Sequence, residues 1–109
     1  MVKKSLLNDT PYNLIHQYHQ ALIAAGIPIE QMILFGSYAK KTPSYDSDLD
    51  VAVVSKTFGK SAFYEMVKLA KIAATIDFLI EPHPYHPKDL KDKWDPLARE
   101  IMAHGIKVI

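Results

Sequence analysis

Asp48 and Asp50 stand one residue apart at the start of a run rich in β-formers, Val51, Val53 and Val54. Side chains alternate along a strand, so the two carboxylates share a face while Leu49 takes the other. In extended chain their Cα atoms lie about 6.5–7 Å apart. Carboxylate arms at that spacing converge on one hard divalent ion, or share two ions about 3.5–4 Å apart. Two like charges so close repel unless a cation sits between them. An isolated Asp-x-Asp is more often the solvent-facing start of a strand. Here the upstream residues alter that reading. Leu34-Phe35-Gly36-Ser37 breaks an apolar run at a glycine and a hydroxyl, with ten residues between Ser37 and Asp48. Gly36 permits a tight bend and close approach of backbone to a ligand. Ser37 opens a helical turn, whose free N–H groups suit a phosphate. Lys40 and Lys41 then either add phosphate contacts or form a solvated surface pair.

A site that holds metal ions and draws a proton from a hydroxyl needs a third carboxylate. Asp77 is the best candidate. It falls early in an expected third strand, Thr75 to Glu81, flanked by Ile76 and Phe78 on the opposite side. Aspartate is unfavourable inside a strand, so its presence there asks for a reason. Glu81 shares that face but lies about 13 Å further along. Asp46 reads as a turn residue. His16 and His19 share a helix face without a third ligand nearby in sequence. His83 and His86, flanked by prolines, read as surface loop residues that border the cleft at most. Tyr38 and Tyr45 flank the motif and could line a nucleotide site. Tyr12, Tyr18, Tyr64 and Trp94 read as core or partner-interface residues.

The elements that must position these groups are well punctuated. Thr10 caps a first helix that Pro11 opens and Gly26 closes, with Leu14, Ile15, Tyr18 and Leu22 on one face. Gln31 to Phe35 is a strand, apolar on both faces and so inside a sheet. Ser37 to Lys41 forms a brief helical turn, and Thr42 to Ser47 a loop. Asp48 to Ser55 is the second strand. Ser61 caps a second helix from Ala62 to about Ala74, with Phe63, Met66, Val67 and Ala70 toward the core. After the third strand, Pro82, Pro84 and Pro87 make an irregular segment that cannot be a central strand. Asp95 and Pro96 start a last helix that ends before Gly105, and Ile106 to Ile109 form a short edge strand. The order implies a small α+β (α/β) sheet with helices packed on it.

At 109 residues with formal net charge +1, the chain reads as one domain, 1–109, without the basic field of a non-specific nucleic-acid binder. Cysteine is absent, which excludes a disulfide framework and a thiolate site. Met1 to Asn8 lack the apolar run of a signal peptide, and no segment approaches the ~20 residues of a membrane span. A cytoplasmic location is the expectation.

The run from Gly36-Ser37 through Asp48-Leu49-Asp50 resembles the minimal nucleotidyltransferases, a small branch of the polymerase-β-like nucleotidyltransferases. The resemblance extends through Val51 to Ser55, Ile76-Asp77, and Leu97 to Ile106. One departure is Lys41, where many relatives have glycine. The resemblance implies a mixed, twisted sheet of about four strands with helices largely on one face. It also implies Mg²⁺, two ions by analogy, and ATP as substrate. Asp48, Asp50 and Asp77 would hold the metals and deprotonate the acceptor, and Gly36 and Ser37 would hold the β- and γ-phosphates. Many relatives are antitoxins that add AMP to a tyrosine of a HEPN (higher-eukaryote-and-prokaryote nucleotide-binding) toxin. That is the leading expectation for the partner. Alternatives are transfer to a small molecule or an RNA end, and neutralisation of a partner by contact alone. Spare apolar helix faces and a short last strand also make a homo-oligomer credible.

Overall fold

The computed structural model describes residues 5–109, so the reading of the N-terminus as free of a leader lies, for Met1–Lys4, outside the described residues. The elements are α1 (Pro11–Ala24), β1 (Gln31–Phe35), β2 (Leu49–Val54), α2 (Ala62–Ile76), β3 (Ile80–Tyr85), a 3₁₀ turn (Asp89–Lys91), α3 (Pro96–His104) and β4 (Ile106–Lys107). The strands form one mixed sheet in the order β3-β2-β1-β4. β1 pairs antiparallel with β2 and β4, and β2 pairs parallel with β3. No helix among the described residues is long and apolar enough to cross a membrane.

Helix α1 forms for the reasons its sequence states. The Thr10 side chain accepts a hydrogen bond from the Asn13 amide. At the other end Gly26 adopts φ 83°, and the amides of Gly26 and Ile27 donate to the carbonyls of Ile23 and Leu22. That closure satisfies two end carbonyls and needs a residue free to take positive φ.

The sheet divides the core in two. On one face Met32, Leu34, Leu49, Val51, Val53 and Ile80 pack under Leu14, Ile15, Tyr18 and Leu22 of α1 and Leu69 and Ala73 of α2. Each Val, Leu, Ile or Met among these, once fully withdrawn from water, contributes about 1.5–3 kcal/mol. The Tyr18 hydroxyl buried there is satisfied: it donates to the Leu69 carbonyl at 2.9 Å. On the opposite face Ile33, Phe35, Ala52, Val54 and Tyr85 pack with Leu90, Ala98 and Ile101. The two long helices therefore share one face, as expected, while the short α3 covers part of the other. The remainder of that second face is left for the site.

Two sequence expectations change. Helix α2 does not stop near Ala74; it runs to Ile76 and lays the stripe Leu69, Ile72, Ala73 and Ile76 on the core, with Leu69 and Ala73 buried and the two isoleucines partly so. Assigning Ile76 to a strand hid the last member of that stripe. Phe63, 72% exposed, Met66 and Ala70 lie off that stripe and face away from the core, and Val67 is half-buried. The third strand then begins at Ile80 rather than Thr75 and includes Pro82 and Pro84, so that segment is regular after all. It is an edge strand, which is why it tolerates them. Leu49 and Ser55 of the β2 side donate to the carbonyls of Leu79 and Tyr85. Odd-numbered residues of β3 thus face β2, and the even-numbered prolines turn their missing N–H to the open edge. Proline there also blocks further strand addition.

Candidate active site

The site lies where the ends of three adjacent strands meet. Phe35 and Asp50 are paired across β1 and β2, and Asp50 and Glu81 across β2 and β3. Alternation then puts His83 on the same face as Glu81, and Asp48 on the same face as Asp50. The result is a patch of acids beside the point where β1 ends.

That point is Gly36, at φ 73°. The backbone conformation favours glycine, and a Cβ there would overlap Asp50 Oδ2 and displace that carboxylate. The chain then makes one α-turn. Lys40 N–H donates to the Gly36 carbonyl at 3.1 Å, and Thr42 N–H to the Ser37 carbonyl at 2.9 Å. The amides of Ser37, Tyr38 and Ala39 precede the first of these turn bonds and have no i−4 acceptor within it. Lys41 closes the turn at φ 60°, donating to the Tyr38 carbonyl. This is the left-handed closing position at which glycine is preferred, the residue many of the resembled relatives carry there. Lys41 is exposed, and Lys40 pairs with Glu100 of α3.

On the strands, His83 Nε2 stands 3.5 Å from Asp50 Oδ1 and 3.9 Å from Glu81 Oε1. One donor atom from each of the three residues lies within 4.8 Å of the others. His83 Nε2 is buried without a hydrogen-bond partner. The imidazole sits edge-on to Phe35 with ring centroids 5.0 Å apart, so its plane is held by packing. The Glu81 carboxyl is pushed above its ordinary range, chiefly by desolvation, then by the adjoining Asp50 carboxyl and the negative charge of Asp48; His83 opposes this. Asp48 itself is exposed, just before β2.

Asp77 does not join this group. It is the C-cap residue of α2 and is 2% exposed. Its carboxylate accepts from the amides of Asn8 and Leu79, both at 2.9 Å. Both oxygens are spent on anchoring the N-terminal segment and the turn into β3. The reason is the helix end: α2 continues through Ile76, so Asp77 caps a helix instead of lining a strand, and the acid that reaches Asp50 is Glu81. Glu81 and His83 are thus candidate site residues that sequence reasoning weighed and set aside. Their signal was present, since Glu81-x-His83 repeats the one-apart spacing of Asp48-x-Asp50. The intervening prolines disguised it as loop. His16 lies on α1, far along the chain from this face, and Tyr18 is core.

Chemically, the cluster is a set of hard carboxylate donors joined by one imidazole. Like charges held together and a buried, unpartnered nitrogen facing them are what a divalent cation would satisfy. The donor set therefore fits such an ion.

The family model described as "Polymerase beta, Nucleotidyltransferase" matches residues 19–109. Among curated proteins, no sequence matches significantly. Several solved structures share the fold. One is a toxin–antitoxin with AMP-PNP, at TM-score 0.60 and 23% identity, covering 90% of this chain and 72% of that one. A second is a mutant of the toxin–antitoxin MntA-HpeT, at TM-score 0.57 and 20% identity over 86% and 70% of the two chains. A third is a tri-AMPylated Shewanella oneidensis HEPN toxin in complex with MNT antitoxin, at TM-score 0.58 and 19% identity over 92% and 72%. At these identities the likeness is one of fold.

Proposed function

This chain belongs to the polymerase beta nucleotidyltransferase family, and from that premise we propose that it moves AMP from ATP onto a hydroxyl of a partner protein, a tyrosine of a HEPN-type toxin, and so serves as an antitoxin. Three similar folds come from toxin–antitoxin complexes, one holding AMP-PNP and one an AMPylated HEPN toxin, which supports this choice of nucleotide and partner. The observation that carries the reading is the meeting of Asp50, Glu81 and His83 beside the Gly36 turn.

In this reading Asp48, Asp50 and Glu81 hold divalent metal, Mg²⁺ in the family and two ions by analogy. When bound, the metal neutralises phosphate charge and favours departure of pyrophosphate. Gly36 lets the backbone approach the β- and γ-phosphates closely, and the first amides of the turn, with the Ser37 hydroxyl, donate to them. Lys40 and Lys41 flank the same turn, Lys40 exchanging its Glu100 partner for phosphate. Attack by the acceptor oxygen forms a bond to the α-phosphorus as the bond to the pyrophosphate oxygen breaks. The acceptor's proton passes to the Glu81 carboxylate, the role expected of Asp77. The register of Glu81 opposite Asp50 across β2 and β3 puts it within the acid cluster for that role. Positioning and charge neutralisation supply most of the rate. The described residues would act as one catalytic domain, in the cytoplasm, where ATP is available.

The test is direct. Incubation with the partner toxin, Mg²⁺ and labelled ATP labels the partner, and the double substitution D48N/D50N abolishes the label. Labelling that survives in the double variant removes the catalytic reading.

A further inference from the structure

We propose that His83 is itself a metal ligand through Nε2, giving the ion shared with Asp50 and Glu81 a mixed nitrogen–oxygen donor set that favours Mn²⁺ over Mg²⁺. The proposal rests on the nucleotidyltransferase reading, because that reading puts a divalent ion at these carboxylates.

Three observations lead to it. First, the Nε2 atom is buried and makes no hydrogen bond, although two carboxylate oxygens face it. A simple ion pair or hydrogen bond would close to about 2.7–3.2 Å. The observed gaps of 3.5 Å and 3.9 Å are longer than that. Second, those gaps suit donors that share an ion. With metal–donor bonds near 2.1 Å, adjacent ligands stand about 3 Å apart and opposite ligands about 4.2 Å. Both spacings fall inside this window. Third, the ring is oriented before any ion arrives. Phe35 meets it edge-on, and β3 is held to β2 by the parallel ladder on either side of His83. An oriented ligand loses little entropy on binding.

The chemistry of the donor sets the preference. Mg²⁺ takes oxygen donors and keeps several waters. Imidazole nitrogen is a borderline donor that first-row divalent ions accept, Mn²⁺ the weakest of them, whereas Mg²⁺ dehydrates reluctantly and gains little from it. One nitrogen among carboxylates leaves Mg²⁺ able to bind but raises Mn²⁺ relative to it. Sequence context makes this specific to the chain: Pro82 and Pro84 on either side of His83 hold the strand extended and keep the imidazole on the acid face.

Mn²⁺ titration of the full chain, with electron spin-echo spectroscopy of the loaded protein, tests this without an activity assay. The wild type should show modulation from a directly bound imidazole ¹⁴N, and ¹⁵N-histidine labelling should change its frequencies. His83→Asn should remove the modulation. It should weaken Mn²⁺ binding by at least about tenfold and Mg²⁺ binding, measured by competition, by less than about threefold. The isotope arm uses unaltered protein and does not depend on how the variant folds. Mn²⁺ bound without nitrogen coupling, or with coupling that persists in His83→Asn, overturns the proposal and leaves the nucleotidyltransferase reading intact. Failure of both ions to bind, with and without ATP, overturns both.

Discussion

Substituting Gly36 by alanine separates the fold from the site. Gly36 and Gly26 both have positive φ, 73° and 83°. An L-residue in that region costs roughly 1–2 kcal/mol. At Gly26 an added Cβ meets nothing within 4 Å, whereas at Gly36 it meets the end of the Asp50 side chain. That end is flexible, so the clash is relieved by moving the carboxylate and adds little to the folding cost. G26A and G36A should therefore lose similar stability in urea unfolding, about 1–2 kcal/mol each, from a total of about 5–15 kcal/mol expected of a domain. Their activities should diverge. Displacing one carboxylate by about 1 Å costs on the order of 100-fold in rate. G36A should transfer label from ATP about 100 times more slowly than wild type, and G26A at the wild-type rate. Wild-type transfer by G36A would refute the argument that Gly36 sets the Asp50 carboxylate. So would a stability loss several kcal/mol beyond that of G26A.

Other outcomes follow from the same geometry. K41G relieves the left-handed strain at φ 60° and should stabilise the protein by about 1 kcal/mol in denaturant unfolding; a destabilised variant would mean the Lys41 side chain holds the turn. Asp77→Ala should cost about 2–4 kcal/mol, because it strands the amides of Asn8 and Leu79, while divalent-ion affinity by calorimetry stays within about twofold. Glu81→Gln should do the reverse, losing ion binding by more than about tenfold; the opposite pattern would restore Asp77 to the site. Glu81 also implies a pH signature in EDTA. Its folded carboxyl is raised above the ordinary 4.5, so its stabilising contribution is complete below that pH and is lost as pH rises through the folded value. Wild-type melting temperature should fall relative to E81Q as pH rises from about 4.5 toward neutral, and a difference that stays constant across that range would rule the mechanism out.

The caps of α1 and α3 and the motif were legible because each rests on local chemistry; at α2 the Ser61 side chain makes no cap bond, and the Glu65 carboxylate accepts from the amides of Gly59, Lys60 and Ser61 instead. Thr10 with Pro11, Asp95 with Pro96, and Gly26 after α1 act within a few residues of themselves. The same holds for Gly36-Ser37, where the break between strand and turn is written into one residue's φ. Less legible was the stretch from Thr75 to Tyr85. Thr75-Ile76 suits a strand by composition, yet its neighbours complete a helical stripe with Leu69 and Ala73. Pro82 and Pro84 argue against a strand until it is known that the strand lies at an edge, and edge position is a property of the whole sheet.

Residue identity alone determined that two acids stand one apart, that a glycine and a hydroxyl precede them, and that the surrounding elements are short strands and amphipathic helices. These follow from nearest-neighbour sterics and from periodicities that any window of the chain displays. Tertiary structure alone decided which further side chains join those acids. Strand register puts Glu81 opposite Asp50, the helix end takes Asp77 for itself, and packing against Phe35 turns His83 inward. Such choices depend on contacts between residues dozens of positions apart, whose energies no local pattern carries.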